Sequence, residues 1–242
     1  MTKTTQFYAI QITLLVIVAV FLIFVYPLIG LDKLSIAPYF NVATQQFPLK
    51  HQFFLEQFMH TGLKRCIVII AMMSLLMAMR ANFMLAAGTT FFSRIKILVK
   101  NNYFLAFIGM VASTAVVSIL KNTSIHGCPH NLTVYGGNLP LLTLFSQLPA
   151  GIKAGHCFPG GHASGGFSLL SFYFVFKQSK PMLAKFGLYG GLTLGFAMGW
   201  AQMMRGEHFL SHNLWTAWVV WSVLLGLYAI NRAFNQHHLA SN

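Results

Sequence analysis

The sequence predicts an all-α polytopic membrane protein, a bundle of six transmembrane helices. Three observations predict it. Of the 242 residues, 56% are hydrophobic and 8% charged, against about a quarter charged in a soluble domain. Six apolar segments recur along the chain, each a candidate span. The cations are sorted between the connections, as the positive-inside rule requires of a protein whose solvent is lipid.

The first segment, residues 7–31, is long enough to cross at about 1.5 Å per residue. It follows Lys3 and lacks a small-residue cleavage site, so it reads as a retained span and not as a removed signal peptide. The second runs over 66–79, extendable to 83, and the third over 103–120. The fourth, 163–176, is short, so its start must lie close to the interface or be buried by its neighbours. The fifth, 186–204, carries Gly190, Gly191, Gly195 and Gly199 at spacings that allow close helix approach. The sixth covers 209–230. Between the first two, Phe47 to His60 reads as an amphipathic interfacial helix after Pro48. The chain therefore divides into residues 1–64, a first span with an interfacial helix, and a core over 65–242, integrated as one domain.

Sixteen Lys and Arg stand against three acids, for a net charge of +13. The cations are dispersed between apolar runs, which argues against a nucleic-acid partner and for a lipid bilayer. Nine of them (Lys3, Arg80, Arg94, Lys96, Lys100, Lys177, Lys180, Lys185 and Arg232) fall on one side, assigned to the cytoplasm. The other side receives Asp32, Glu56, Glu207 and every histidine except His237 and His238. With only three acids, paired-carboxylate catalysis and carboxylate-rich metal sites are nearly excluded. Cys66 lies in an apolar run. Cys128 and Cys157 share the long connection 121–161 and can form a disulfide if it faces an oxidising compartment.

Three stretches carry polar chemistry to that second face. Pro159-Gly160-Gly161-His162 precedes a helix, where free backbone N–H groups and the positive helix end suit an anion. His162 there is placed to protonate a leaving oxygen; the plainer alternative is a capped turn with a solvated histidine. Arg205, His208 and His212 recur at spacings of three and four, so on a helix they share a face. An oriented imidazole is a competent nucleophile toward phosphorus when cations neutralise the phosphate; the alternative is interfacial snorkelling. The third stretch holds Lys121, His126, Cys128 and Pro129.

Taken in order, Lys121…Cys128-Pro129, Pro159-Gly-Gly-His162 and His208-x-x-x-His212 resemble the three signatures of the type 2 phosphatidic acid phosphatase superfamily. Those are Lys-x6-Arg-Pro, Pro-Ser-Gly-His and Ser-Arg-x5-His-x3-Asp. The resemblance covers roughly residues 103–230 and extends to the six-helix layout. It implies that His208 is a nucleophile forming a phosphohistidine, that His162 is the general acid, and that Lys121 and Gly161 bind phosphate. It also implies a metal-independent reaction without cofactor on a membrane lipid phosphate or diphosphate. The localisation that goes with it is a bacterial inner membrane with the site facing the periplasm.

The chain departs from the signatures at several positions. Cys128 stands for the first-motif arginine, Gly160 for the second-motif serine, Ala201-Gln202 for Ser-Arg, and His212 for the aspartate. Arg205, one turn beyond Gln202, is the expected substitute clamp. Lys153, His126, His130 or His156 can add charge, and neutral His212 can accept a hydrogen bond from the His208 ring. Glu207, adjacent to His208, is a weak candidate for that orienting role. The expected phosphate site is therefore Lys121, Gly160, Gly161, Gln202 and Arg205, with His208, His162 and His212 catalytic. Three other readings stand beside it: phosphotransfer to an acceptor, a histidine metal site, and a non-catalytic lipid-binding or transport relative.

Overall fold

The computed structural model describes residues 3–85 and 88–240, with backbone alone for 3, 4 and 235–240. The side chains of Lys3, His237 and His238 thus lie outside the described residues. Among those described there is no strand; the chain is helical. Four helical stretches are long and apolar enough to cross a membrane: Thr5–Ile29, Phe54–Leu85, Asn102–Thr123 and Leu210–Phe234. Their outward faces expose residues such as Val16, Phe24, Ile69, Leu76 and Ile119. So much exposed apolar surface is stable only in lipid, and the chain is an integral membrane protein.

Helix α1 (Lys3–Val20) continues through a π-helical turn (Phe21–Val25) into α2 (Tyr26–Ile29). Pro27 lacks an N–H, which accounts for the local change of hydrogen-bond register before it. Gly30, at φ +69°, stops the helix and starts α3 (Leu31–Ile36). Helix α4 (Leu63–Leu85) is entered through a π-helical segment, Phe54–Gly62. The sequence expects a separate interfacial helix there. Instead one rod runs from Phe54 to Leu85 and passes unbroken through residue 64. No proline interrupts it, and Phe54 stacks on Phe58 with ring centroids 5.1 Å apart, giving the first turns an apolar stripe of their own.

Helices α5 (Phe91–Lys100) and α6 (Asn102–Thr123) follow. Asn101 caps α6 by accepting from the Tyr103 N–H at 2.8 Å. The fourth apolar segment is two short helices, α7 (Gly161–Ser168) and α8 (Leu170–Phe176), and the fifth is α9 (Pro181–Met204). Neither is among the four apolar stretches: α7 and α8 are short, 8 and 7 residues, and in α9 glycines take the place of large apolar side chains. Those glycines let the rods pack closely. A methyl on Gly166 would overlap the Gly195 backbone, and one on Gly195 would overlap the Phe167 ring. Helices α7 and α8 occupy the centre, with α6, α9 and the long α10 (Leu210–Ala240) around them. Phe167, Leu169, Leu170, Phe174 and Phe176 are buried there. The shortness of this segment is thus offset by protein on all sides.

Contacts at the two ends of the bundle fix its polarity. At one end the Lys177 ammonium sits 3.3 Å from the Phe7 ring centroid and 4.4 Å from that of Tyr228, a cation–π clasp joining α1, α8 and α10. Lys180 donates to the Tyr103 hydroxyl at 2.8 Å. At the other end Asp32 reaches α10. Its carboxylate accepts from the Ser211 N–H (2.8 Å), the Ser211 hydroxyl (2.6 Å) and the Tyr26 hydroxyl (2.8 Å). Asp32 is in effect the N-cap side chain of α10, supplied from 179 positions away. Replacing Asp32 with Ala should lower stability by about 1–2 kcal/mol, read as an earlier thermal melt in detergent. Asn at this position should recover part of the loss, because its amide oxygen still accepts.

Candidate active site

The three motifs converge at the Asp32 end of the bundle. Lys121 lies in the last turn of α6 and leans over the start of α7. A Cβ on Gly161 would stand 3.5 Å from Lys121 Cδ and 3.8 Å from its Nζ. Gly161 and His162 open α7, where first-turn N–H groups have no partner within the helix. Lysine ammonium and free amides thus face the same small volume.

Gly160 precedes them and is tied to α10. Its N–H donates to the His212 carbonyl at 3.2 Å, and its own carbonyl accepts from the Thr216 hydroxyl at 3.1 Å. The Gly160 amide is therefore already engaged, contrary to the phosphate-binding role expected of it. The amides left for an anion are those of Gly161 and His162. The absence of the usual serine is also explained. A Cβ at residue 160 would stand 2.8 Å from Asn213 Oδ1.

His208 and His212 meet across the entry to α10. Their Nδ1 atoms are 3.2 Å apart, so one donates to the other. His208 is not on the helix, as equal spacing on one face would need. It precedes Leu210 in a turn made possible by Gly206 at φ +71°. Both rings are buried. Behind them, Cys128 and Cys157 form a disulfide with Cα atoms 5.1 Å apart, and Cys157 Sγ lies 3.6 Å from His208 Nδ1. Nδ1 is turned to His212 and the sulfur, and Lys121 and His162 act on the ring electrostatically.

Burial, then the charges of His212, Lys121 and His162, hold the His208 imidazole well below its usual range. It is therefore neutral at neutral pH and has a lone pair to offer. The sign for stability follows. The unfolded chain takes up a proton at His208 below about pH 6.5 while the folded chain resists it. The contribution is present above that pH and is lost as pH falls toward the folded value. Melting temperature should therefore drop as pH is lowered from neutral. In His208→Gln that drop should be shallower; an unchanged slope would contradict the assignment.

Arg205 caps α9 and is buried. Its Nε donates to the Lys50 carbonyl at 2.8 Å and one terminal nitrogen to Gln202 Oε1 at 3.3 Å; the other lies 3.8 Å from Glu56 Oε1. Gln202, at the usual arginine position, thus orients Arg205 and spends its oxygen there. The guanidinium also bears on His162 electrostatically. The other cations proposed as helpers are engaged or remote. His126 donates to the Thr143 carbonyl at 3.1 Å, and Lys153 and His156 are exposed. His130 donates to the Gly206 carbonyl at 3.0 Å and lies 3.8 Å from Glu207. Glu207 accordingly faces His130 and not the His208 ring.

One member of the cluster was missed from the sequence. His60, on the π-helical entry to α4, stacks on His162 with ring centroids 3.9 Å apart. The available signal was weak: His60 and Lys64 recur four apart in a segment read as an interfacial surface. Two groups of metal-ligating atoms lie close together, Cys157 with His208 and His212, and Cys128 with His130 and Glu207. In each, the cysteine belongs to the disulfide and has no thiolate to offer a metal.

A cavity of about 300 Å³ adjoins His212 on its far side, walled by Tyr26, Asp32, Tyr135, Phe158 and Trp215. Below it an apolar groove lined by Leu15, Val18, Leu214 and Trp218 follows the seam between α1 and α10.

No curated protein and no solved structure matches the chain. A family model does. The PAP2 superfamily model covers residues 102–236, from the first residue of α6 into the last turns of α10. That segment contains Lys121, Gly161, His162, Arg205, His208 and His212, the residues the fold gathers at one end. This chain belongs to the PAP2 superfamily, the type 2 phosphatidic acid phosphatases, and is a membrane member of it.

Proposed function

We propose that this protein is a membrane phosphatase that hydrolyses a lipid phosphate or diphosphate through a phosphohistidine on His208. The observation that carries this reading is the pairing of His208 and His212. In the reactive tautomer His208 donates its Nδ1–H to His212 Nδ1, which leaves Nε2 unprotonated and aimed at the volume bounded by Lys121 and Gly161. His212 thus does part of what the missing aspartate does: it fixes the tautomer without adding a full negative charge.

In the first step Nε2 of His208 attacks phosphorus, the bond to the leaving oxygen breaks, and His162 supplies the proton. In the second, water attacks the phosphohistidine with His162 accepting its proton, and phosphate leaves with His208 regenerated. Lys121, the Gly161 amide and Arg205 neutralise the charge that develops on the phosphoryl oxygens. No metal or cofactor is needed for either step.

The reading includes six membrane crossings, with α7–α8 and α9 as the two not distinguished by hydropathy. It also includes a periplasm-facing site in a bacterial inner membrane. The Cys128–Cys157 disulfide at the site end suits an oxidising compartment, and the nine cations assigned to the opposite end agree. The lipid chain lies in the bilayer while the phosphate stays at the level of the motifs.

The test is direct. Protein purified in detergent is offered a panel of lipid monophosphates and diphosphates, and released phosphate is measured for wild type, His208→Ala and His162→Ala. Release by the wild type that both substitutions abolish supports the mechanism; release that survives both eliminates it. Appearance of the phosphoryl group on an added alcohol would identify the phosphotransferase variant.

A further inference from the structure

Residues 54–65 lie outside the matched segment, yet they bring two basic side chains to the site. His60 stacks on His162 at 3.9 Å. Lys64 follows one turn later, on the same face of the rod, and bears electrostatically on both imidazoles. The charges facing this pair come from every neighbouring element. Arg205 at the end of α9 and Lys121 at the end of α6 are positive; Glu56 and Glu207 are negative. Both carboxylates have other partners: Glu56 lies 3.8 Å from Arg205 and 4.0 Å from His51, and Glu207 lies 3.8 Å from His130. The His60 Nδ1 contacts the Thr61 hydroxyl at 3.4 Å, which leaves Nε2 available.

The position of this pair has a chemical meaning. On the reading above, His162 protonates the leaving oxygen, so whatever is bonded to that oxygen lies beside His162 and against His60. In a lipid monophosphate that neighbour is the first carbon of an apolar chain, which gains nothing from imidazole and ammonium. In a lipid diphosphate it is a second phosphorus, whose non-bridging oxygens are anionic. Charge-assisted contacts to such oxygens are among the stronger polar interactions available.

We infer that His60 and Lys64 form a second anion subsite on the leaving-group side, which makes a lipid diphosphate the preferred substrate. This rests on the phosphatase reading. The terminal phosphorus is attacked by His208 Nε2, and its bond to the bridging oxygen breaks. The electron pair stays on that oxygen, now part of the departing lipid monophosphate, whose charge His60 and Lys64 hold. Water then cleaves the phosphorus–nitrogen bond and releases inorganic phosphate. One phosphoanhydride bond is hydrolysed per cycle.

Two measurements test it. Phosphate release is compared for a prenyl diphosphate and the prenyl monophosphate of the same chain in mixed micelles. Wild type should favour the diphosphate in kcat/KM, and a His60→Phe, Lys64→Gln double variant should lose about tenfold of that preference. The phenyl ring keeps the stack on His162, and a melting curve checks the fold. Separately, binding of inorganic diphosphate and inorganic phosphate is measured in His208→Ala, which cannot turn over. Diphosphate should bind more tightly, and adding the double substitution should level the two. An unchanged kcat/KM ratio, or equal binding of the two anions before the double substitution, overturns the subsite. Diphosphate-selective binding with no release from either lipid upholds the subsite and strikes the phosphatase reading instead.

Discussion

Replacing His208 with Ala should reduce phosphate release by roughly 10³-fold or more while leaving phosphate binding within a small factor of wild type. Nucleophile removals in other enzymes cost at least this much, because no other group is placed to form the covalent intermediate. His208 is buried, its Nδ1 is occupied by His212 at 3.2 Å, and Lys121 and His162 act on its ring electrostatically. On this reading His162 is committed to donating the proton to the leaving oxygen. The effect belongs in kcat and not in KM, because the cationic groups that hold the anion are unchanged. A loss confined to KM would mean that His208 binds substrate and that another group accepts the phosphoryl.

Replacing Arg205 with Ala should cost about 10²-fold in turnover and weaken inhibition by inorganic phosphate. The family signature puts an arginine three residues earlier, where this chain has Gln202. On the proposed reading Arg205, one helical turn on, takes its place, and Gln202 holds the guanidinium at 3.3 Å. Arg205→Lys should rescue little. A lysine cannot donate to the Lys50 carbonyl and Gln202 and still present a planar fork to phosphate. Arg205 also ties α9 to the Lys50 and Glu56 region, so melting curves must accompany the kinetics. If Arg205→Ala leaves turnover and phosphate inhibition unchanged, the shifted arginine is only a structural tie.

The sequence states the membrane class most clearly, because lipid demands long apolar runs and those are visible without neighbours. Four of the six expected segments appear as apolar helices long enough to cross. The remaining two are obscured for different reasons: α7 and α8 are short, and glycines dilute α9. Gly166, Gly191 and Gly195 lower hydropathy but let α7, α8 and α9 touch backbone to backbone. Lys121, Gly161, His162 and His208 were legible as candidates through the order of the three motifs and their resemblance to the family signatures, and they come from three separate elements that the fold then joins. Continuity of the rod through residue 64 was not legible. An amphipathic stripe over residues 48–60 fits a surface helix as well as it fits the first turns of a longer one.

Contacts across the chain were equally hidden. Nothing local in Asp32 indicates that it caps a helix beginning at Leu210, and nothing local in His60 indicates His162. Both residues lie outside the segment matched to the family. The N-terminal part of the chain therefore does more than anchor the core. Asp32 positions the helix that carries His212, and the segment from Glu56 to Lys64 sets His60 against His162 and Glu56 beside Arg205.

If His208 carries the phosphoryl group, the group can be trapped there. Purified protein is mixed with a lipid phosphate or diphosphate, quenched in alkali within the first turnover, digested and examined by mass spectrometry. A phosphohistidine is expected on the peptide containing His208, absent from His208→Ala and decaying as free phosphate appears. A phosphoryl group on a different residue, or turnover with no phosphorylated peptide at any time, would contradict it.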